Sequence, residues 1–164
     1  MSKYKKTTVV FPLQNEQLLL GMKKRGFGAG WWNGFGGKLE AGESYAASAV
    51  RETSEEVGLT IDESHLRHAA DIVFRFDGKV DVVTKAYIAT EFEGTPTETE
   101  EMKPQWFLRT KIPYDTMWPG DDKWIPKILA NTTSLSLGFI IDFTGDNQFT
   151  AIQSVDLNTI ASYF

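Results

Sequence analysis

Apolar and polar residues follow two different periods along the chain, and these predict strands with helices inserted between them. Thr7 to Leu13 and Gln17 to Lys24 are β-branched or leucine-rich runs parted by the turn-like Gln14-Asn15-Glu16, and read as two strands. Ile72 to Phe76 and Val80 to Phe92 read as a second pair, turning at Asp77-Gly78. Gln105 to Leu108 is a short strand, and Phe139 to Phe143 with Phe149 to Val155 form a closing hairpin through Gly145-Asp146-Asn147. The helical period occurs in Ser44 to Val57, with Ser44 as N-cap and Gly58 as C-terminal stop, and again in Asp122 to Asn131. On the first helix, Ala46, Val50, Thr53 and Val57 fall within an arc of about 60°, a stripe expected to face a core. Ahead of that helix, Gly26 to Gly37 carries six glycines together with Trp31, Trp32 and Asn33, and reads as a shaped loop. The expected class is α/β of the α+β kind. No internal repeat or Pro/Ser-rich linker divides residues 1–164, so one domain is expected.

Composition narrows the chemistry. The chain has no cysteine and two histidines, His65 and His68, which excludes a disulfide scaffold, a thiol nucleophile and Cys- or multi-His-ligated metal centres. Any catalytic metal must then be held mainly by oxygen. The net charge of −5 argues against a long nucleic acid as partner but leaves room for a small phosphorylated substrate arriving with a divalent cation. The opening MSKYKKTTVVF lacks the apolar run and cleavage site of a secretory signal. No segment approaches the ~20 consecutive apolar residues of a membrane span. A cytoplasmic protein acting as a monomer, with no membrane partner, is the expectation. Aromatic residues are in surplus at 13%, including five Trp and eleven Phe.

The segment Gly37 to Leu59, GKLEAGESYAASAVRETSEEVGL, concentrates the candidate chemistry. Glu52, Glu55 and Glu56 fall within an arc of about 100° on the predicted helix, expected on the side away from the apolar stripe. Like charges at this spacing repel, and they stand in the last turns, where the macrodipole disfavours negative charge. A hard cation such as Mg²⁺ or Mn²⁺, shared with substrate phosphate oxygens, offsets both terms. A solvated acidic face is the plainer alternative for any three such residues. The spacing decides between them: Gly37, Glu43, Arg51-Glu52, Glu55-Glu56 and Gly58-Leu59 together resemble the Nudix box of the Nudix hydrolases. One position departs, since Thr53 stands where that box has an aliphatic residue. The resemblance implies an α/β/α sandwich with a mixed sheet, and Mg²⁺-dependent hydrolysis of a nucleoside diphosphate linked to another group, with Mn²⁺ as substitute. It also implies Glu52, Glu55 and Glu56 as metal ligands together with Gly37. A Glu43–Arg51 pair would tie loop to helix.

The likeness extends to LLLGMKKRGFGAG, WNGFGGK, GTP, EMKPQWF and MWP, at residues 18–30, 32–38, 94–96, 101–107 and 117–119. These are similar to the MutT-homologue purine nucleoside triphosphate hydrolases, which clear oxidised nucleotides such as 8-oxo-dGTP. The resemblance implies Asn33, Trp118 and Asp121 in base recognition, and Thr8 and Lys23 at the nucleoside. It implies Phe27, Phe74 and Trp124 as pocket lining and Glu101 as a further carboxylate near the metals. Glu56 or Glu101 would accept the attacking water's proton. Each of these also has a structural reading, as core packing, turn or solvated surface. The chain departs after Trp118-Pro119: the subfamily has two adjacent Asp there, and Gly120-Asp121 stand in their place, followed by Asp122. A carboxylate pair can share a proton and so present one donor and one acceptor to a base. That device survives here only if Asp121 and Asp122 both face the base. Other substrates of the same chemistry, such as an unmodified dNTP, ADP-ribose or a dinucleoside polyphosphate, or a catalytically silent binding module, are the alternatives.

Overall fold

A computed structural model describes residues 3–164. β1 (Lys5–Gln14) lies parallel to β5 (Lys79–Ala89), from Lys5 opposite Val82 to Pro12 opposite Ala89. β5 continues antiparallel to β4 (Leu66–Phe76), β4 parallel to β7 (Leu137–Phe143), and β7 antiparallel to β8 (Phe149–Val155). The sheet is therefore mixed, as the resemblance implies. β1 turns through Asn15 and Glu16, both at positive φ (49° and 63°), which is the geometry of a tight two-residue hairpin. β2 (Gln17–Lys23) then leaves β1 after only two residue pairs and joins β6 (Met102–Leu108) on one edge and β3 (Trp32–Asn33) on the other.

The vacated edge of β1 is taken by the glycine-rich loop. Val10 and Phe35 exchange backbone hydrogen bonds (2.6 and 2.9 Å), and Thr8 N–H donates to the Gly37 carbonyl at 3.0 Å. Gly36 is required here by close approach, because a Cβ would run into the Thr8 carbonyl.

α1 (Tyr45–Val57) and α2 (Asp121–Ala130) cover opposite faces. Val9 and Phe11 of β1 pack in one cluster with Trp124, Ile125 and Ile128 of α2, while the intervening Val10 packs with Ala49 of α1. Alternation along one strand thus produces an α/β/α sandwich. α1 begins at its expected cap, with Ser44 Oγ accepting from Ala47 N–H at 3.1 Å, and ends on Gly58 in the left-handed region. Among the described residues no helix is long and apolar enough to cross a membrane.

Three expectations are corrected. The buried face of α1 is Ser48, Ala49, Thr53 and Val57, while Ala46 and Val50 are only half-buried. The helix is turned because it packs on the glycine-rich loop as well as on β1, and the turn brings Glu52 and Glu56 onto the inward side. They do not lie opposite the packed stripe; Glu55 alone of the three is exposed. β4 starts at Leu66, well before Ile72, because a register shift between His68 and Ala70 breaks the alternation that marks a strand. β5 stops at Ala89, short of Phe92, where its pairing with β1 and β4 ends. The short β3 and a one-turn α3 (Leu157–Ile160) were not expected from the pattern.

Candidate active site

A cavity of about 370 Å³ opens where β1, the glycine-rich loop, α1 and the start of α2 meet. That volume suits a small organic ligand. Its walls include Thr8, Lys23, Phe27, Asn33, Gly37 and Glu56. Phe74, Glu101, Trp118, Asp121 and Trp124 complete the sequence-predicted members. Glu52, Glu55, Arg51 and Asp122 do not line it.

Arg51 organises the acidic side. Its guanidinium grips Glu43 through Nε at 2.7 Å and Nη2 at 3.0 Å, and reaches the Lys38 carbonyl at 3.2 Å. This planar two-point grip ties the loop before α1 to the helix. The hydrogen bonds from Arg51 pull the Glu43 carboxyl down to about 2 and hold Arg51 firmly cationic. The same Nη1 reaches Glu52 at 3.0 Å and Glu55 at 3.2 Å, which relieves their mutual repulsion.

Glu56 is the most enclosed of the three helix glutamates. Its Oε2 is buried without a hydrogen-bond partner, an expensive arrangement for a carboxylate. Burial, and next the neighbouring Glu52, push the Glu56 carboxyl up to about 8, and burial also raises Glu52. The chain end of α1 is stitched from outside: Thr99 Oγ1 donates to the Glu56 carbonyl at 2.9 Å and Thr97 N–H to that of Val57 at 2.9 Å. This satisfies the last carbonyls of the helix and delivers Glu101 to the cavity. There Glu101 accepts from Arg25 Nη2 at 2.9 Å.

The donor set fits a hard divalent cation. An orphaned buried carboxylate oxygen, a second half-buried carboxylate and a backbone carbonyl at Gly37 all offer oxygen donors. The Gly37 carbonyl already accepts from Thr8 N–H but retains a second lone pair. Among the described residues no three acidic or histidine side chains already converge on one point, and Arg51 holds Glu52 and Glu55 toward itself. A side chain at Gly37 would force the Glu52 carboxylate to move, because a Cβ would stand 2.5 Å from its Oε1. Gly37→Ala is expected to displace Glu52 and lower kcat about tenfold, short of the ~10²-fold that a 1 Å misplacement can cost. Steady-state kinetics with a far-UV circular dichroism control checks it; unchanged kcat would separate Glu52 from the reaction.

The aromatic side is built by α2, the loop and β4. Trp118 packs against Phe27 (ring centroids 5.1 Å apart) and Trp31 (5.7 Å, stacked). Asn33 Oδ1 accepts from Gly34 N–H at 2.8 Å, so its amide has donors left to offer. Asp121 is buried, and its Oδ1 accepts from Trp124 Nε1 at 3.0 Å. Burial pushes the Asp121 carboxyl up to about 7. Asp122 points elsewhere, exposed and 3.2 Å from Lys123 Nζ. Trp31, Phe76 and Phe143 also line the cavity, and no motif in the sequence marks them for it. Trp31 was legible in principle, since adjacent Trp31 and Trp32 on an extended stretch must point to opposite sides. Phe76 and Phe143 meet only through the β4–β7 register, for which no local signal exists.

The chain matches the model of the NUDIX domain over residues 3–128. It is 47% identical over 130 residues to the oxidized purine nucleoside triphosphate hydrolase of Mus musculus, covering 79% of this chain and 82% of the relative. It is likewise 47% identical over 123 residues to the protein of the same name from Danio rerio, covering 74% and 78%. Among solved structures it superposes on a mutator MutT protein from Bacillus halodurans with a TM-score of 0.78, at 28% identity, over 92% of this chain and 97% of that one.

Proposed function

The chain belongs to the NUDIX family, and from that premise we propose that it hydrolyses oxidised purine nucleoside triphosphates, 8-oxo-dGTP among them, to the monophosphate and pyrophosphate. The reading is carried by one observation: a single cavity joins the carboxyls of Glu56 and Glu101 to an aromatic wall with the buried Asp121. The names of the 47% identical relatives support the same substrate class.

Glu52, Glu55 and Glu56, with the Gly37 carbonyl and Glu101, would hold Mg²⁺, or Mn²⁺ in its stead. Such a cation, when bound, neutralises phosphate oxygens and lowers the pKa of a water. Glu56 or Glu101 accepts the proton of the water that attacks phosphorus in line. Lys23 and Thr8 steady the nucleotide. Trp118 offers an indole face for the purine, and Phe27, Phe74 and Trp124 exclude water around it. Asn33 and Asp121 meet the base edge. A nucleotide of this size needs no second subunit, nucleic acid or membrane, and we read the chain as a single-domain monomer working in the cytoplasm.

Pyrophosphate release from 8-oxo-dGTP, 2-hydroxy-dATP, dGTP and dATP tests the reading. Turnover is expected with Mg²⁺, its loss with a chelator, and kcat/KM at least about tenfold higher for the oxidised pair, the discrimination that ~1.4 kcal/mol of differential contact supplies. Equal values for all four would sink the sanitising role, and no release from any would point to a silent binding module.

A further inference from the structure

Glu56 and Glu101, the carboxyls that line the acidic end of the cavity, come from distant segments: the last turn of α1 and the residue before β6. One hydroxyl joins their backbones. Thr99 Oγ1 lies 2.9 Å from the Glu56 carbonyl oxygen, 3.3 Å from the Glu101 amide nitrogen and 3.2 Å from that of Met102. The direction of each bond follows from its partner. A carbonyl only accepts, so the hydroxyl donates to Glu56; an amide N–H only donates, so both lone pairs of the oxygen accept. The hydroxyl is thereby used to capacity. Thr99 is half-buried, whereas Thr97, Glu98, Glu100 and Glu101 around it are exposed.

The side chains of the two acids are poorly placed to fix themselves. Glu56 Oε2 has no hydrogen-bond partner. Glu101 is held by Arg25, but the two side chains are 55% and 61% exposed, and water and salt leave such a pair worth little. The backbone is held more firmly. Thr97 N–H donates to the Val57 carbonyl at 2.9 Å, Thr99 N–H to that of Met102 at 3.0 Å, and Lys24 N–H to that of Glu101 at 2.8 Å. Residues 97–102 therefore run as a tie from the end of α1 to the loop after β2, with the Thr99 hydroxyl at its centre. We propose that Thr99 is a positioning residue of the reaction. Through its one hydroxyl it fixes the Glu56 and Glu101 backbones relative to each other, so that the two carboxyls meet the phosphate end of the substrate as a unit. This rests on the hydrolase reading above and adds to it the residue that sets its acidic end.

Thr99→Val keeps the shape of the side chain and removes all three bonds, while Thr99→Ser keeps the hydroxyl and loses only a methyl. Thr99→Val is expected to lower kcat about tenfold with KM within about twofold, the mark of displaced reacting groups rather than lost substrate contacts. Thr99→Ser should restore about half or more of the wild-type kcat. Wild-type kcat in Thr99→Val, or an equal loss in both variants, overturns the proposal. Coupling of the two acids is read from a double variant: in a Glu101→Gln background the Thr99→Val loss should shrink to about threefold or less, because one of the groups it places is already gone. A full loss there overturns the proposal as well. Mn²⁺ titrated alone into the wild type and both single variants, followed by calorimetry, gives a readout free of turnover. Its Kd should rise roughly three- to tenfold in Thr99→Val and stay near the wild-type value in Thr99→Ser. If the wild type hydrolyses no nucleotide, the hydrolase reading fails by itself; the Mn²⁺ titrations still decide the role of Thr99, indistinguishable curves for wild type and Thr99→Val overturning it.

Discussion

Glu56→Gln is expected to lower kcat by about 10²–10⁴-fold while leaving the fold intact, and to raise stability in the metal-free protein. Glutamine keeps the shape of the side chain but neither accepts a proton nor neutralises a cation. The wild-type carboxylate sits buried with an unpartnered Oε2, pushed up to about 8 by burial and by Glu52. Its folded value exceeds its ordinary 4.5, so the ionised form is penalised on folding. The cost is absent below about pH 4.5, grows as pH rises toward 8, and is constant above. At pH 8 in chelator the variant should therefore be more stable by on the order of 1–4 kcal/mol, read by thermal or urea unfolding. Saturating Mg²⁺ should reverse the order by stabilising the wild type more than the variant. A merely solvated Glu56 would move neither kcat nor stability. Glu101→Gln in parallel selects the base: Glu101 is half exposed and tied to Arg25, so it should cost less.

Much of this site could be read from the chain because its chemistry is local. Glu43, Arg51, Glu52, Glu55 and Glu56 are brought together by one loop and one helix, so spacing alone announces them. Ser44 and Gly58 mark the helix ends by capping physics that acts within four residues. What could not be read depends on packing between distant segments. The helix period predicted a stripe through Ala46 and Val50, but the glycine-rich loop competes with β1 for α1 and turns Glu52 and Glu56 inward. That turn separates a solvated acidic face from a buried one, and the close approach of the loop to β1 at Gly36 and to Glu52 at Gly37 needs residues without side chains. The Thr97 and Thr99 stitches that bring Glu101 to the cavity are likewise nonlocal. So is the Phe149 ring over Gly120, across nearly thirty positions. Gly120 is visible in the sequence; only the fold shows that Phe149 stands against it.

The buried acid at the aromatic end should show the same conflict between function and stability, at a lower pH. Asp121→Ala removes both oxygens from the base edge and leaves the Trp124 N–H unpaired, so kcat/KM should fall by roughly 10- to 200-fold. The fall should appear mainly in KM, because the carboxylates that serve the phosphates are untouched. Asp121→Asn isolates the electrostatic part, since its Oδ1 can still accept from Trp124 while the charge is gone. Asp121 is ordinarily an acid near 3.8 and is raised to about 7 by burial, with Asp122 adding to the rise and the Trp124 hydrogen bond opposing it. Folding therefore penalises its ionised form from about pH 3.8 upward, and fully above about pH 7. The stability difference between Asp121→Asn and wild type should be near zero at pH 4, widen through neutrality in favour of the variant, and level off above pH 7. For Glu56→Gln the same curve should continue to widen to pH 8. Unfolding midpoints in chelator across pH 4 to 9 distinguish the two, and a pH-independent difference at Asp121 would mean that its carboxyl is not held in a desolvated pocket.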